Sequence, residues 1–133
     1  MQDAGDVLIV GAGPVGLFTA LALSQAGVSV TVIEAEPTIS DSPRAMVYFP
    51  SSMVALNELG ILDEVDRQGV RNSAVGHKVP DLDFFAKLSL HALSGITYDY
   101  QIHAGQDVAA RIAHDHAVQR GVTILFNHSL ESM

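Results

Sequence analysis

The residues with the clearest chemical purpose are six in a row, Gly11-Ala12-Gly13-Pro14-Val15-Gly16, and one acid downstream, Glu34. Glycines at this spacing can turn a chain sharply and leave main-chain N–H groups bare. Gly11 permits the tight turn, Gly13 lets a diphosphate approach the backbone, and Gly16 lets a helix lie close to a strand. A helix starting here adds free donors and a partial positive charge for that diphosphate. Glu34 follows Gly16 by 18 residues, near the interval of about 20 at which a carboxylate accepts hydrogen bonds from an adjoining ribose. The same charge repels a ribose 2′-phosphate, so NADP is disfavoured here. The physics leaves FAD and NAD both open, because both carry the ADP half. The competing reading is a plain strand-to-helix turn with a surface glutamate.

The glycine pattern is informative only inside a strand–turn–helix–strand frame. Val7-Leu8-Ile9-Val10 is a short unbroken apolar run, suited to a parallel strand. Leu17 to Ala26 reads as a helix with no internal Gly or Pro, and Gly27 is placed to stop it. Val28 to Ile33 is a second, β-branched strand ending at Glu34. Together these make one βαβ unit of about 30 residues. Pro37 to Pro43 reads as a polar loop. Pro50 to Leu59 reads as a helix, with Pro50 at the first position and Gly60 at the stop. Ile61 then suits the apolar contact of a Schellman cap. Leu62 to Gln68 predicts another turn or two of helix.

From Arg71 to Tyr100 the pattern is poor and predicts loops with short strands at Phe84 to Leu90 and Gly95 to His103. Gln106 to Gln119 is helical, with Ala109, Ile112, Ala113, His116 and Ala117 on one face. Gly121 ends it, and Val122 to Phe126 is a third buried-type strand. The fold class is therefore α/β: a Rossmann-like βαβ unit with a parallel sheet, forming a partial FAD/NAD(P)-binding domain. Residues 1–133 are expected to form a single domain, with no substrate domain.

The chain has 133 residues, 48% of them apolar, with 15 acidic against 7 basic side chains and a net charge of −8. That composition can bury a core, which excludes disorder as the overall reading. An acidic surface repels phosphate, which argues against non-specific nucleic-acid and anionic-membrane binding. The absence of cysteine excludes disulfides, Cys-ligated metal centres and thiol nucleophiles. The acidic start lacks the basic region of a signal peptide. The apolar stretch from Val7 to Leu23 is too broken to span a bilayer. A cytoplasmic location is expected.

Other chemistry-bearing residues are better read as structural. His114 and His116 are two apart and would point different ways on a helix, so no metal site is assigned. Ser51 and Ser52 lack a nucleophile-elbow pattern and read as helix-start chemistry. Tyr98 and Tyr100 read as a packing pair. Asp81 and Asp83 sit in a poorly patterned loop, which supports no acid–base pair. No catalytic residue is assigned.

The stretch GAGPVGLFTALALSQAGVSVTVIEAEPTISDSPRA resembles the FAD-binding start of the flavoprotein aromatic hydroxylases, the phenol-hydroxylase-like single-component monooxygenases. Pro14 within the turn is common in that family, and Glu34 takes its ribose-binding place. Ser42-Pro43-Arg44-Ala45 resembles the family segment whose arginine meets the FAD pyrophosphate region. PSSMVALNELGILDEV, from Pro50 to Val65, resembles the family's next helix and its ending. His103-Ala104-Gly105-Gln106 resembles the segment whose Gln or Arg lies near the FAD phosphates. Arg44 can make forked, charge-assisted bonds to phosphate. Gln106 can bond phosphate or cap its own helix.

The expected cofactor-binding set is Gly11, Gly13, Pro14, Val15, Gly16, Glu34, Ala35, Arg44 and Gln106, with FAD as the cofactor. The resemblance further implies NAD(P)H as electron donor and hydroxylation of a phenolic or aromatic substrate. Family members are several times longer and carry a later Gly-Asp motif. Here Gly5-Asp6 precedes the first strand and cannot fill that role. The alternatives are therefore a truncated, non-catalytic module that binds FAD or ADP-ribose, or an inactive remnant. An open sheet edge and an uncovered apolar face are expected to drive self-association or pairing with a second chain.

Overall fold

The computed structural model describes residues 5–132. In chain order the elements are β1 (Val7–Val10), α1 (Pro14–Gln25), β2 (Val30–Glu34), β3 (Val47–Tyr48), α2 (Pro50–Glu58) and α3 (Leu62–Gln68). Then come β4 (Val70–Asn72), β5 (Ala74–Val79), β6 (Phe84–Ser89), β7 (Gln101–His103), α4 (Gln106–Gln119) and β8 (Thr123–Phe126). Short 3-10 turns lie at Pro80–Leu82 and Leu90–Leu93. The chain divides into two compact units. One joins the residues up to Ala45 with those from Gly105 onward, and the other is Met46–Ala104.

The first unit holds a parallel sheet in the order β1-β2-β8. β2 is central, and its β-branched residues Val30 to Ile33 are buried, as a strand flanked on both sides requires. Helix α1 crosses over from β1 to β2 and packs along α4. Leu17, Ala20 and Leu21 are buried on α1, and Ala109, Ile112, Ala113 and Ala117 on α4. Alanines on both helices let the two backbones come close. The other face of the sheet is open at β1, where Leu8 and Val10 are 44% and 57% exposed.

The second unit holds an antiparallel sheet in the order β3-β7-β4 and a separate β5-β6 hairpin. Its core is Met53, Leu56, Ile61, Val65 and Ile102. Helix α2 ends as the glycine predicts. Gly60 takes φ +73, Ile61 N–H donates to the Leu56 carbonyl at 3.0 Å, and Gly60 N–H donates to Asn57 at 2.9 Å. That is the Schellman pattern. The hairpin exposes Phe84, Phe85 and Leu88. Among the described residues no helix is long and apolar enough to cross a membrane.

Three expectations need correction. Helix α1 begins at Pro14 rather than Leu17, because proline is preorganised for the first helical position and Gly16 is tolerated in the first turn. The strand expected over Gly95 to His103 shrinks to Gln101–His103. Gly95 takes φ +81, and the N–H groups of Ile96 and Thr97 turn back onto the Leu93 carbonyl, so the backbone there is coiled. Ser51 and Ser52 do not cap α2. Phe49 holds the cap position, and no side chain bonds the free N–H groups.

Candidate functional site

The glycine corner follows from three local constraints. Gly11 takes φ +108, a conformation costly for any residue with a Cβ, and its N–H donates to the Ile33 carbonyl at 2.7 Å. Gly16 sits directly over that turn: a Cβ there would collide with the Gly11 carbonyl oxygen and press on Ile9. Gly13 has ordinary backbone angles, φ −73 and ψ 175, and a Cβ there would meet nothing within 4 Å. Gly11 and Gly16 are therefore required by the fold. Gly13 has open space beside it and ordinary angles, so the fold itself does not require glycine there.

Gly13 is also the N-cap of α1, and no side chain caps that end. Pro14 carries no N–H, and the next donors, on Val15 and Gly16, have no intrahelical acceptor. Helix α4 begins the same way, with Gly105 as an N-cap that offers no side-chain acceptor. An uncapped N-terminus favours an anion.

Both helix starts open onto one cleft of about 160 Å³. Gly13, Pro14, Arg44 and Gln106 line it, together with Ser40, Ser42 and Asp107. Asp107 is tied by an ion pair to Arg111 one turn on. A Cβ on Gly105 would press against Pro43 and the Asp107 carboxylate, so the loop carrying Arg44 depends on this glycine.

Glu34 faces the glycine corner. Its Oε2 accepts from Ala12 N–H at 2.8 Å and its Oε1 from Glu36 N–H at 2.9 Å. These bonds, Glu36 first and then Ala12, with a smaller one from Ala35, hold the carboxyl below the ordinary glutamate range, and burial opposes them only in part. The carboxylate is thus ionised and fixed, with lone pairs remaining for hydroxyl donors.

The structure brings Gly13, Pro14, Arg44 and Gln106 onto one cleft and ties Glu34 to it through Ala12. It does not bring in the side chains of Val15 and Ala35. Val15 is 79% exposed on α1 and Ala35 is exposed beside Glu34, so each has only main-chain groups to contribute. Ser40, Asp107 and Gly105 were not among the expected site residues. Ser40 accepts from Ser42 N–H at 3.3 Å, a turn signal present in the serine spacing. Glycine directly before a helical segment marked Gly105 as an N-cap. Among the described residues no three His, Asp or Glu side chains gather into a metal site. In the second unit Tyr98 and Tyr100 meet edge to face at 6.0 Å, and Arg71 lies 4.5 Å over Tyr100, an aromatic packing cluster.

An open backbone corner, two bare helix starts, a cation and a fixed carboxylate can together take a diphosphate and a neighbouring ribose. Residues 4–133 match the family described as FAD binding domain. The chain belongs to that family.

This FAD-binding domain is 36% identical over 135 residues to para-nitrophenol 4-monooxygenase of Pseudomonas sp. (strain WBC-3), covering 100% of this chain and 34% of that protein. It is 41% identical over 111 residues to 6-hydroxy-3-succinoylpyridine 3-monooxygenase of Pseudomonas putida, covering 83% of this chain and 28% of that protein. Among solved structures it resembles p-nitrophenol 4-monooxygenase from Pseudomonas putida DLL-E4, with a TM-score of 0.92 and 34% identity over 99% of this chain and 34% of that one. Aklavinone-11 hydroxylase, solved with FAD and aklavinone, matches with a TM-score of 0.78 and 31% identity over 96% of this chain and 26% of that one. The chain thus spans about a quarter to a third of the length of these relatives. The expected α/β, Rossmann-like fold and the flavoprotein family both hold.

Proposed function

We propose that this domain binds FAD with the diphosphate against the Gly11–Gly16 corner and the adenosine ribose on Glu34. We propose further that it is the cofactor-binding portion of an NAD(P)H-dependent monooxygenase acting on a phenolic or other aromatic substrate. One observation carries the cofactor placement: the space at Gly13 is open, and the adjacent residue, Ala12, donates its N–H to the Glu34 carboxylate. The substrate class is supported by the aromatic substrates of the relatives para-nitrophenol 4-monooxygenase and 6-hydroxy-3-succinoylpyridine 3-monooxygenase.

The cofactor supplies the hydride and oxygen chemistry, and the chain's own residues bind and orient it. The N–H groups of Gly13, Val15 and Gly16 donate to phosphate oxygens. Arg44 adds a forked, charge-assisted contact, and Gln106 an amide donor from the start of α4. Glu34 accepts from ribose hydroxyls and repels a 2′-phosphate. Ala35 contributes main chain at the ribose edge. The open face at Leu8 and Val10 supports contact with a second chain or a second copy.

The alternative reading is a module that holds FAD without turnover. Titrating the chain with FAD tests both. A yellow one-to-one complex supports the binding site, and NADPH-driven oxygen uptake by that complex then separates enzyme from module. A chain that retains neither FAD nor ADP at high micromolar concentrations overturns the proposal.

A further inference from the structure

Glu34 is useful only if its carboxylate is held in place, and the structure shows what holds it. The Glu36 residue is bonded at both ends. Its N–H donates to Glu34 Oε1 at 2.9 Å, and its carbonyl accepts from Asn127 N–H at 3.2 Å. One residue on, His128 N–H donates to the Glu34 carbonyl at 2.9 Å. Two successive donors thus leave β8 and clamp both ends of the Glu34–Glu36 turn.

A strand cannot do this with regular geometry, because successive N–H groups alternate in direction. The exception is at Asn127, which takes φ +58. Asparagine tolerates that left-handed conformation better than other residues with side chains. The His128 ring locks the same corner, its Nδ1 lying 2.7 Å from the Phe126 carbonyl. Parallel register places this corner beside the acid, since Phe126 pairs with Glu34.

We propose that Asn127 is a positioning residue for the ribose-binding carboxylate: its left-handed turn aims two main-chain donors at the Glu34–Glu36 segment and so sets how the domain distinguishes a free ribose 2′-hydroxyl from a 2′-phosphate. The proposal rests on the ribose assignment above, but its first test does not.

That test titrates the Glu34 carboxyl by NMR in the ligand-free chain. In Asn127→Val the β-branched residue resists positive φ, the clamp loosens, and the Glu34 titration moves up toward the ordinary glutamate range. Asn127→Gly adopts the turn freely and keeps the parent titration. The second test compares binding of ADP with its 2′-phosphorylated analogue. Asn127→Val weakens ADP by about tenfold and narrows its preference over the analogue, and Asn127→Gly restores both. A general loss of stability would instead weaken both ligands equally. If Asn127→Val does not fold, Asn127→Ala carries the same comparison with a smaller backbone penalty.

A parent chain that binds neither ligand removes the ribose assignment but leaves the titration result standing. Unchanged Glu34 titration and unchanged ligand preference in folded Asn127→Val or Asn127→Ala overturn the positioning role.

Discussion

At the Gly11–Gly16 corner the open surface is backbone, whereas in the β5-β6 hairpin it is side chain. The corner leaves polar donors without partners around a glycine that has free space beside it. The hairpin leaves Phe84, Phe85 and Leu88 in water, with every residue of β6 exposed. Bare donors next to a fixed carboxylate suit a small, charged, hydroxyl-bearing ligand. Bare apolar rings suit only a larger apolar covering. The difference shows why one exposed region carries a functional assignment and the other does not.

The two regions should differ most in what they contribute to stability. Leu21 is fully buried where α1 packs, so Leu21→Ala should cost about 3–5 kcal/mol. Phe85→Ser should shift stability by no more than about 0.5 kcal/mol, because the ring is already 63% exposed. Urea midpoints measure both. Equal costs would mean that the hairpin is packed in solution.

The next effect separates ligand binding from folding. Gly13→Val suits the existing backbone angles, and a Cβ there meets nothing within 4 Å, so the melting temperature should hold. It fills the approach to the helix start, and affinity for FAD or ADP should fall by about 100-fold. Gly16→Ala should do the reverse and lower the melting temperature, by roughly 3–5 °C for each kcal/mol of strain. If both variants behave alike, the three glycines do not have the separate roles assigned to them.

The corner was legible in the sequence because its constraints are local. Gly11, Gly16 and Glu34 sit within one βαβ unit, and each answers to a neighbour in that unit. Pro50, Gly60 and Ile61 were legible for the same reason, since a helix and its caps lie within a dozen residues. The hairpin was half hidden. A ribbon left mostly in water imposes no alternation of polar and apolar residues, so β5 left no periodic trace, while the apolar run at Phe84 did. The clamp from Asn127 and His128 was not legible at all. It joins residues about 90 positions apart through main-chain atoms, which no side-chain pattern records.

A smaller effect sharpens the ribose contact. Glu34→Gln keeps the shape of the side chain but removes its charge. ADP should weaken by about tenfold, and its preference over the 2′-phosphorylated analogue should shrink. A preserved preference in a competition assay would place the discrimination elsewhere.

The smallest effect is with pH. The folded-state pKa of Glu34 is depressed, so its contribution to stability is fully present above the ordinary glutamate value and is lost as pH falls through the lowered one. The acid limb of a stability–pH curve should therefore be shallower in Glu34→Gln than in the parent chain. An identical limb would show that the N–H bonds to this carboxylate do not persist in solution.

Amide NMR during an ADP titration reads directly whether a diphosphate sits on the bare backbone at the start of α1. With the diphosphate seated there, the largest shifts fall on Ala12, Gly13, Val15 and Gly16, with smaller ones at Glu34 to Glu36. Saturating shifts confined to residues outside the Gly11–Gly16 corner, or no shifts at all, would contradict it.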